Sequence, residues 1–215
     1  ATENLIMAAS LASGETIIRN AAKEPEITDL ANFLNSMGGS VSGAGTECVR
    51  VQGQPELMET TYRPIGDRIE ASTWVMAGLL TKSEIKVMDF DPEHIRSVTD
   101  TLKLMGANLE IGDNFVKVLE SKLKAANIST APYPGFPTDL QAQLMSLMCL
   151  VNGNSQIREA VFENRFMHVP ELNRLGANIK LSKDKAYISG NQEFKGAQVM
   201  ASDLRASVSL VLAAC

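Results

Sequence analysis

The chain repeats itself, and that constrains its fold more than any other property. A helix-ending pattern, a glycine and a β-type run recur at three places: Phe33-Leu34-Asn35-Ser36-Met37-Gly38-Gly39-Ser40-Val41, Leu102-Lys103-Leu104-Met105-Gly106-Ala107-Asn108-Leu109 and Leu172-Asn173-Arg174-Leu175-Gly176-Ala177-Asn178-Ile179. Gly38, Gly106 and Gly176 stand 68 and 70 positions apart. A second series keeps step with the first, since Asp67, Asp139 and Asp203 each open an apolar run, 72 and 64 positions apart. Two markers in register mean one supersecondary unit used several times.

Each unit reads as an apolar helix, a short strand, an amphipathic helix ending at the glycine, and two more strands. The apolar helices are expected at Asp67 to Leu80, Asp139 to Val151 and Asp203 to Cys215. Lacking a polar face, each is expected to be buried on all sides. The short strands are expected at Ile17 to Asn20, Glu84 to Val87 and Gln156 to Arg158. Ile27, Leu30, Phe33, Leu34 and Met37 follow helical spacing along one face, with Asp29 and Asn32 between them. Gly112-Asp113-Asn114 supplies turn chemistry between runs at Asn108 to Ile111 and Phe115 to Leu119. The fold class expected is α/β (α+β), with mixed sheets outside, apolar helices packed inside, and three units to a closed lobe. Arg63-Pro64-Ile65-Gly66 reads as a linker between residues 1–65 and 66–215.

Composition removes several classes of function. A chain of 215 residues with 45% hydrophobic side chains can bury a sizeable core. A net charge of -5 without a basic stripe weighs against nucleic acid as a partner, while leaving small anions open through local arginines. The uncharged stretch Leu140 to Ile157 is interrupted by Gln141, Gln143, Asn152, Gly153 and Asn154, and is a poor membrane span. Cys48, Cys149 and Cys215 are odd in number and lack CxxC spacing, which points to a reducing cytoplasm. No metal site, P-loop, dinucleotide fingerprint or nucleophile elbow is present. The opening at Ala1 without Met, and the stop at Cys215 inside an apolar run, read as part of a longer protein.

Capping of a helix N-terminus accounts for all three aspartates as a class. Asp139 is set apart by its approach, Pro132-Tyr133-Pro134-Gly135-Phe136-Pro137-Thr138, a rigid loop that neither sister unit has. Arg165 lies between Phe162 and Phe166, either as a solvated arginine over packed rings or as a binding group. Arg205, one turn into its helix, is placed to meet an anion or to pair with Asp203. His168 is read as capping or packing, not acid–base work, and the methionines, Met145 and Met148 among them, as packing.

The segments Phe136-Pro137-Thr138-Asp139-Leu140-Gln141-Ala142-Gln143, Phe162-Glu163-Asn164-Arg165-Phe166-Met167-His168-Val169-Pro170-Glu171-Leu172 and Gly196-Ala197-Gln198-Val199-Met200-Ala201-Ser202-Asp203-Leu204-Arg205-Ala206-Ser207 closely resemble the enolpyruvyl transferase family, in the branch that acts on UDP-N-acetylglucosamine. Further matches at Ala1 to Asn4, Asn20 to Ile27 and Asp67 to Glu70 extend the resemblance over the whole chain. It implies inside-out α/β lobes of three repeats each, closing over the substrates at a hinge. Residues 1–65 would be the last repeat of one lobe, and 66–215 two repeats and the first helix of a third in the other. The implied reaction moves the enolpyruvyl group of phosphoenolpyruvate onto the sugar 3-hydroxyl with loss of phosphate. It opens peptidoglycan synthesis, and so bears on cell wall biogenesis, cell shape and division.

No metal or organic cofactor, nucleic acid or membrane partner is implied, and no oligomeric state. By resemblance Asp139 is the base at the 3-hydroxyl, Val161 contacts the sugar nucleotide, and Arg165 and Arg205 are cleft arginines. The family's reactive loop cysteine, its lysine and asparagine near the N-terminus and further arginines match nothing here, so residues 1–215 alone are expected to be inactive. The related branch acting on a phosphorylated shikimate is the nearest rival, and Glu163 to His168 favours the sugar-nucleotide branch. A non-catalytic repeat-built binding module is the rival of another class, and the joint presence of Asp139, Arg165 and Arg205 argues against it.

Overall fold

The computed structural model describes residues 1–201 and 203–215, so Ser202, within one of the matching segments, lies outside the described residues. Two compact units follow one another along the chain, Ala1–Ile65 and Gly66–Cys215. Among the described residues no helix is long and apolar enough to cross a membrane.

The first unit runs α1 (Thr2–Ala9), β1 (Glu15–Arg19), α2 (Pro25–Ser36), β2 (Ser40–Ser42) and β3 (Cys48–Gln52). β3 lies between β1 and β2, antiparallel to both. Ile6 of α1, Ile27 and Leu34 of α2, and Val49 and Val51 of β3 form its core. The helical spacing of α2 thus buries one face against alternate residues of a strand.

In the second unit the same order of helix, strand, helix, strand, strand occurs twice, and a further helix follows. The first pass is α3 (Arg68–Leu80), β4 (Lys86–Met88), α4 (Arg96–Leu104), β5 (Leu109–Ile111) and β6 (Phe115–Val118). A strand β7 (Asn127–Ser129) then precedes α5 (Gln141–Leu150), β8 (Asn154–Arg158), α6 (Val169–Arg174), β9 (Asn178–Ser182) and β10 (Lys185–Ser189), and α7 (Leu204–Ala214) comes last. The sheet β4-β6-β5 is antiparallel throughout. Among the described residues only the sheet β7-β8-β10-β9 is mixed, because an extra strand, β7, lies parallel along β8. The expectation of mixed sheets is met in that sheet, and the other two are antiparallel.

The three marker glycines close three helices in the same way. Gly38, Gly106 and Gly176 have φ of 88°, 95° and 101°, in the left-handed region where a Cβ is strained. In each case the next residue's N–H reaches back to a carbonyl of the last turn: Gly39 to Leu34 at 2.9 Å, Ala107 to Leu102 at 2.9 Å and Ala177 to Leu172 at 3.0 Å. That bond satisfies carbonyls that a helix end leaves free. Asn35 adds a two-way clasp to the backbone of Val41, at 2.9 and 2.7 Å, and Asn173 makes the same clasp to Ile179, at 3.0 Å each way.

The apolar helices do not share one environment. α5 packs against both α3 and α7, and nine of its ten residues are buried. Ser146 of α5 donates its hydroxyl to the Ser209 carbonyl of α7 at 3.0 Å, which lets a polar side chain sit in that contact. α3 and α7, each packed on α5 along one side, leave Trp74, Leu204 and Val211 exposed at 56%, 81% and 63%. The expectation that all three are buried on every side therefore fails for α3 and α7. An apolar cleft of about 640 Å³ opens between them, lined by Ile69, Trp74, Ala77, Leu204, Val208 and Val211.

Candidate active site

The three aspartates that the sequence places in one register part company in the structure. The Asp67 carboxylate accepts from the N–H groups of Ile69 at 2.7 Å and Glu70 at 3.1 Å, and that of Asp203 from Arg205 at 2.9 Å and Ala206 at 3.0 Å. Both are helix caps. Asp139 caps nothing. It sits inside a short 3₁₀ turn, Thr138–Leu140, and α5 begins only at Gln141. The expected helix from Asp139 is corrected by that turn, which frees the carboxylate from the backbone.

The proline-rich loop explains how the turn is presented. Ala131 donates to the Phe136 carbonyl at 2.9 Å and Gly135 to that of Pro132 at 2.8 Å, and the Ser97 hydroxyl donates to the Gly135 carbonyl at 3.0 Å. Phe136 is buried in the core, and the Tyr133–Pro134 peptide is cis. A loop tied at both ends and pinned from α4 delivers Thr138 and Asp139 at a fixed place.

Asp139 Oδ1 receives Arg205 Nε at 2.5 Å and Arg165 Nη1 at 3.3 Å. The structure thus brings Asp139, Arg165 and Arg205 together, and Arg205 pairs with Asp139, not with Asp203. The Arg165 guanidinium carbon lies 4.3 Å from the Phe162 ring centroid, a cation–π placement. Its Nη1 also donates to Thr138 Oγ1 at 2.7 Å. Among the described residues the Nη atoms of Arg205 carry no hydrogen bond, so their N–H groups are available to an anion. A recess of about 200 Å³ lies here, lined by Thr138, Gln141, Arg165, His168, Asp203 and Arg205.

Val161 stands apart from that recess. Its N–H donates to Glu159 Oε1 at 3.0 Å, and it lines an adjoining hollow with Lys183 and Asp184. Glu159 was missed by sequence reading. It is buried at 4% exposure, and its carboxylate also takes the hydroxyls of Thr130 at 2.8 Å and Thr138 at 2.9 Å and the N–H of Phe162 at 3.1 Å. A signal was there: Ser155, Ile157 and Glu159 are the buried alternates at the end of β8, so the carboxylate falls in phase with the inward face.

Burial lowers His168 to about 4 from 6.5, with the Asp203 charge acting the other way. No side-chain cap is made by His168, and its Nε2 has no partner among the described residues. Packing, not capping, is its place. The folded imidazole holds its proton less tightly than the unfolded one, so its contribution to stability is fully present above pH 6.5 and is lost as pH falls toward 4. We expect unfolding free energy to drop across that window by on the order of 3 kcal/mol from this group. His168→Leu should flatten the decline in denaturant titrations at stepped pH, and an unchanged slope would locate the acid sensitivity elsewhere.

Burial pushes the Cys149 thiol up to about 12, which removes it as a nucleophile near neutrality. Cys48 is half-buried at the start of β3 and Cys215 is exposed at the end of α7, both unpaired. No group of three or more metal-ligating side chains occurs among the described residues.

Comparisons with known proteins give the family. A family profile described as EPSP synthase (3-phosphoshikimate 1-carboxyvinyltransferase) matches residues 1–215. UDP-N-acetylglucosamine 1-carboxyvinyltransferase of Shewanella sediminis is 51% identical over 215 residues, covering 99% of this chain and 51% of that protein. The protein of that name from Coxiella burnetii is 51% identical over 214 residues, covering 99% of this chain and 49% of its own. The chain therefore spans about half the length of the curated relatives it matches. Among solved structures, the enolpyruvyl transferase NikO from Streptomyces tendae superposes with a TM-score of 0.82 at 28% identity, over 96% of this chain and 50% of that one. EPSP synthase from Acinetobacter baumannii shares the fold at a TM-score of 0.68 and 18% identity, over 99% of this chain and 53% of its own.

Proposed function

The chain belongs to the EPSP synthase family, and from that membership we propose that its protein transfers the enolpyruvyl group of phosphoenolpyruvate to the 3-hydroxyl of UDP-N-acetylglucosamine. Phosphate is released, and the product opens peptidoglycan synthesis in the cytoplasm. The observation that carries the reading is the environment of Asp139. Of three aspartates in one register, it alone is withheld from helix capping and held by two guanidiniums. The relatives at 51% identity favour the sugar nucleotide over a phosphorylated shikimate as acceptor.

In this reading Asp139 takes the proton of the sugar 3-hydroxyl as its oxygen bonds to the central carbon of phosphoenolpyruvate, whose methylene carbon gains a proton. Loss of a proton from the resulting methyl group and departure of phosphate restore the double bond. Arg165 and Arg205 hold Asp139 in place and present N–H donors to the anionic donor substrate, where planar guanidinium forks suit carboxylate and phosphate alike. Val161 lies against the sugar nucleotide. Residues 66–215 supply two repeats and the leading helix of a third in one lobe, and residues 1–65 the last repeat of the other.

The acceptor is tested by offering the full-length protein phosphoenolpyruvate with either UDP-N-acetylglucosamine or shikimate 3-phosphate. Phosphate release is expected with the sugar nucleotide only. Release with shikimate 3-phosphate alone would move the protein to the other branch.

A further inference from the structure

We propose that Glu159 is a positioning residue that sets the hydrogen-bond polarity of the site by fixing which way the Thr138 hydroxyl points. The role rests on the enolpyruvyl-transfer reading above for its effect on turnover, but its geometry stands independently. A hydroxyl has one proton and can donate it once. Thr138 donates to Glu159 Oε2 at 2.9 Å, so the lone pairs of its oxygen face the other way and accept Arg165 Nη1 at 2.7 Å. The same guanidinium nitrogen reaches Asp139 Oδ1 at 3.3 Å. A relay therefore runs from Glu159 through Thr138 to Arg165 and on to Asp139.

The other oxygen anchors the relay. Glu159 Oε1 takes the Thr130 hydroxyl at 2.8 Å and the N–H groups of Val161 and Phe162 at 3.0 and 3.1 Å. Thr130 lies just past the end of β7, while Phe162 is the ring under Arg165. One buried carboxylate thus ties the strand end, the Asp139 turn and the Arg165 loop to a single point. Four donors converge on it, a demand that an acceptor-only group meets and an amide does not.

Glu159→Gln makes the test sharp, because it keeps the shape and reverses one bond. With the amide oxygen turned to the three donors at Oε1, the amide N–H₂ faces Thr138 and donates to it. The Thr138 proton then loses its acceptor and must rotate away, so nothing fixes which lone pair of the oxygen meets Arg165. In the full-length protein, kcat in Glu159→Gln is expected to fall about tenfold to a hundredfold, the scale of a misplacement near 1 Å, with KM for the sugar nucleotide within about threefold. Thr138→Val should reproduce the fall, Thr138→Ser should recover most of it, and the double variant with Glu159→Gln should be no worse than either single, since both break one relay.

A second readout does not need the reaction: nitrogen NMR of the Arg165 guanidinium, whose restrained Nη signals should average in Glu159→Gln and Thr138→Val alike. Should Glu159→Gln not accumulate folded, Thr138→Val against Thr138→Ser carries both measurements. Wild-type kcat in Glu159→Gln, additive losses in the double variant, or unchanged Arg165 signals would each overturn the positioning role. Absence of phosphate release in the unaltered protein, with the Arg165 signals still responding, would sink the assigned reaction and leave the relay standing.

Discussion

Asp139→Asn in the full-length protein is expected to lower turnover by on the order of a hundredfold or more while sugar-nucleotide affinity stays within about threefold. Asparagine keeps the side-chain shape, and its amide oxygen can still accept Arg205 Nε at the position Oδ1 now holds. It has no useful affinity for a proton, so in the proposed reaction the step that deprotonates the acceptor would lose its base. The split between binding and turnover is the informative part, because a residue that only shaped the pocket would move both. Calorimetric titration with UDP-N-acetylglucosamine beside steady-state phosphate release makes the measurement. Turnover within about threefold of the unaltered protein would reduce Asp139 to a structural anchor for two arginines.

The other large effect concerns the 215 residues by themselves. Purified alone with both substrates, they are expected to release no phosphate. Stabilising the charge on a departing phosphoryl group requires several donors aimed at it in a water-poor site. The recess beside Asp139 offers only two guanidiniums among the described residues, those of Arg165 and Arg205, each with one nitrogen already on Asp139. The relatives that share this sequence are about twice as long, which leaves room for further donors. The open apolar cleft of about 640 Å³ between α3 and α7 should also drive self-association, visible as light scattering. Steady release that disappears on Asp139→Asn would show that these residues suffice.

What the sequence made legible was whatever depends on neighbours along the chain. A glycine after a helix is demanded by local backbone geometry, so Gly38, Gly106 and Gly176 announced their helix ends without help from the rest of the fold. Asp67 and Asp203 were legible as caps for the same reason, since their partners are two and three residues away. Asp139 was not, because what separates it from its sisters is Arg165 and Arg205, 26 and 66 positions on. The unusual loop before it hinted at a difference without stating what the difference was. α3, α5 and α7 look alike as apolar helices, yet α5 lies between the other two and is almost wholly buried while α3 and α7 keep an exposed face, and which helix lies between which is a property of the fold, not of the helix. Glu159 shows the opposite case. Its phase along β8 marked it as an inward carboxylate, but its importance lies in Thr130, 29 positions upstream, and Thr138, 21 positions upstream.

The spacing of 66 positions between Asp139 and Arg205 also orders events during synthesis. A nascent chain emerging residue by residue presents the proline loop, α5, the remaining strands and α6 before Arg205 leaves the ribosome. Until then Asp139 can meet Arg165 but not its second clamp, and α5 lacks the neighbour that covers its far side. A translation product that stalls before α7 therefore carries the Asp139 carboxylate without the second arginine that holds it.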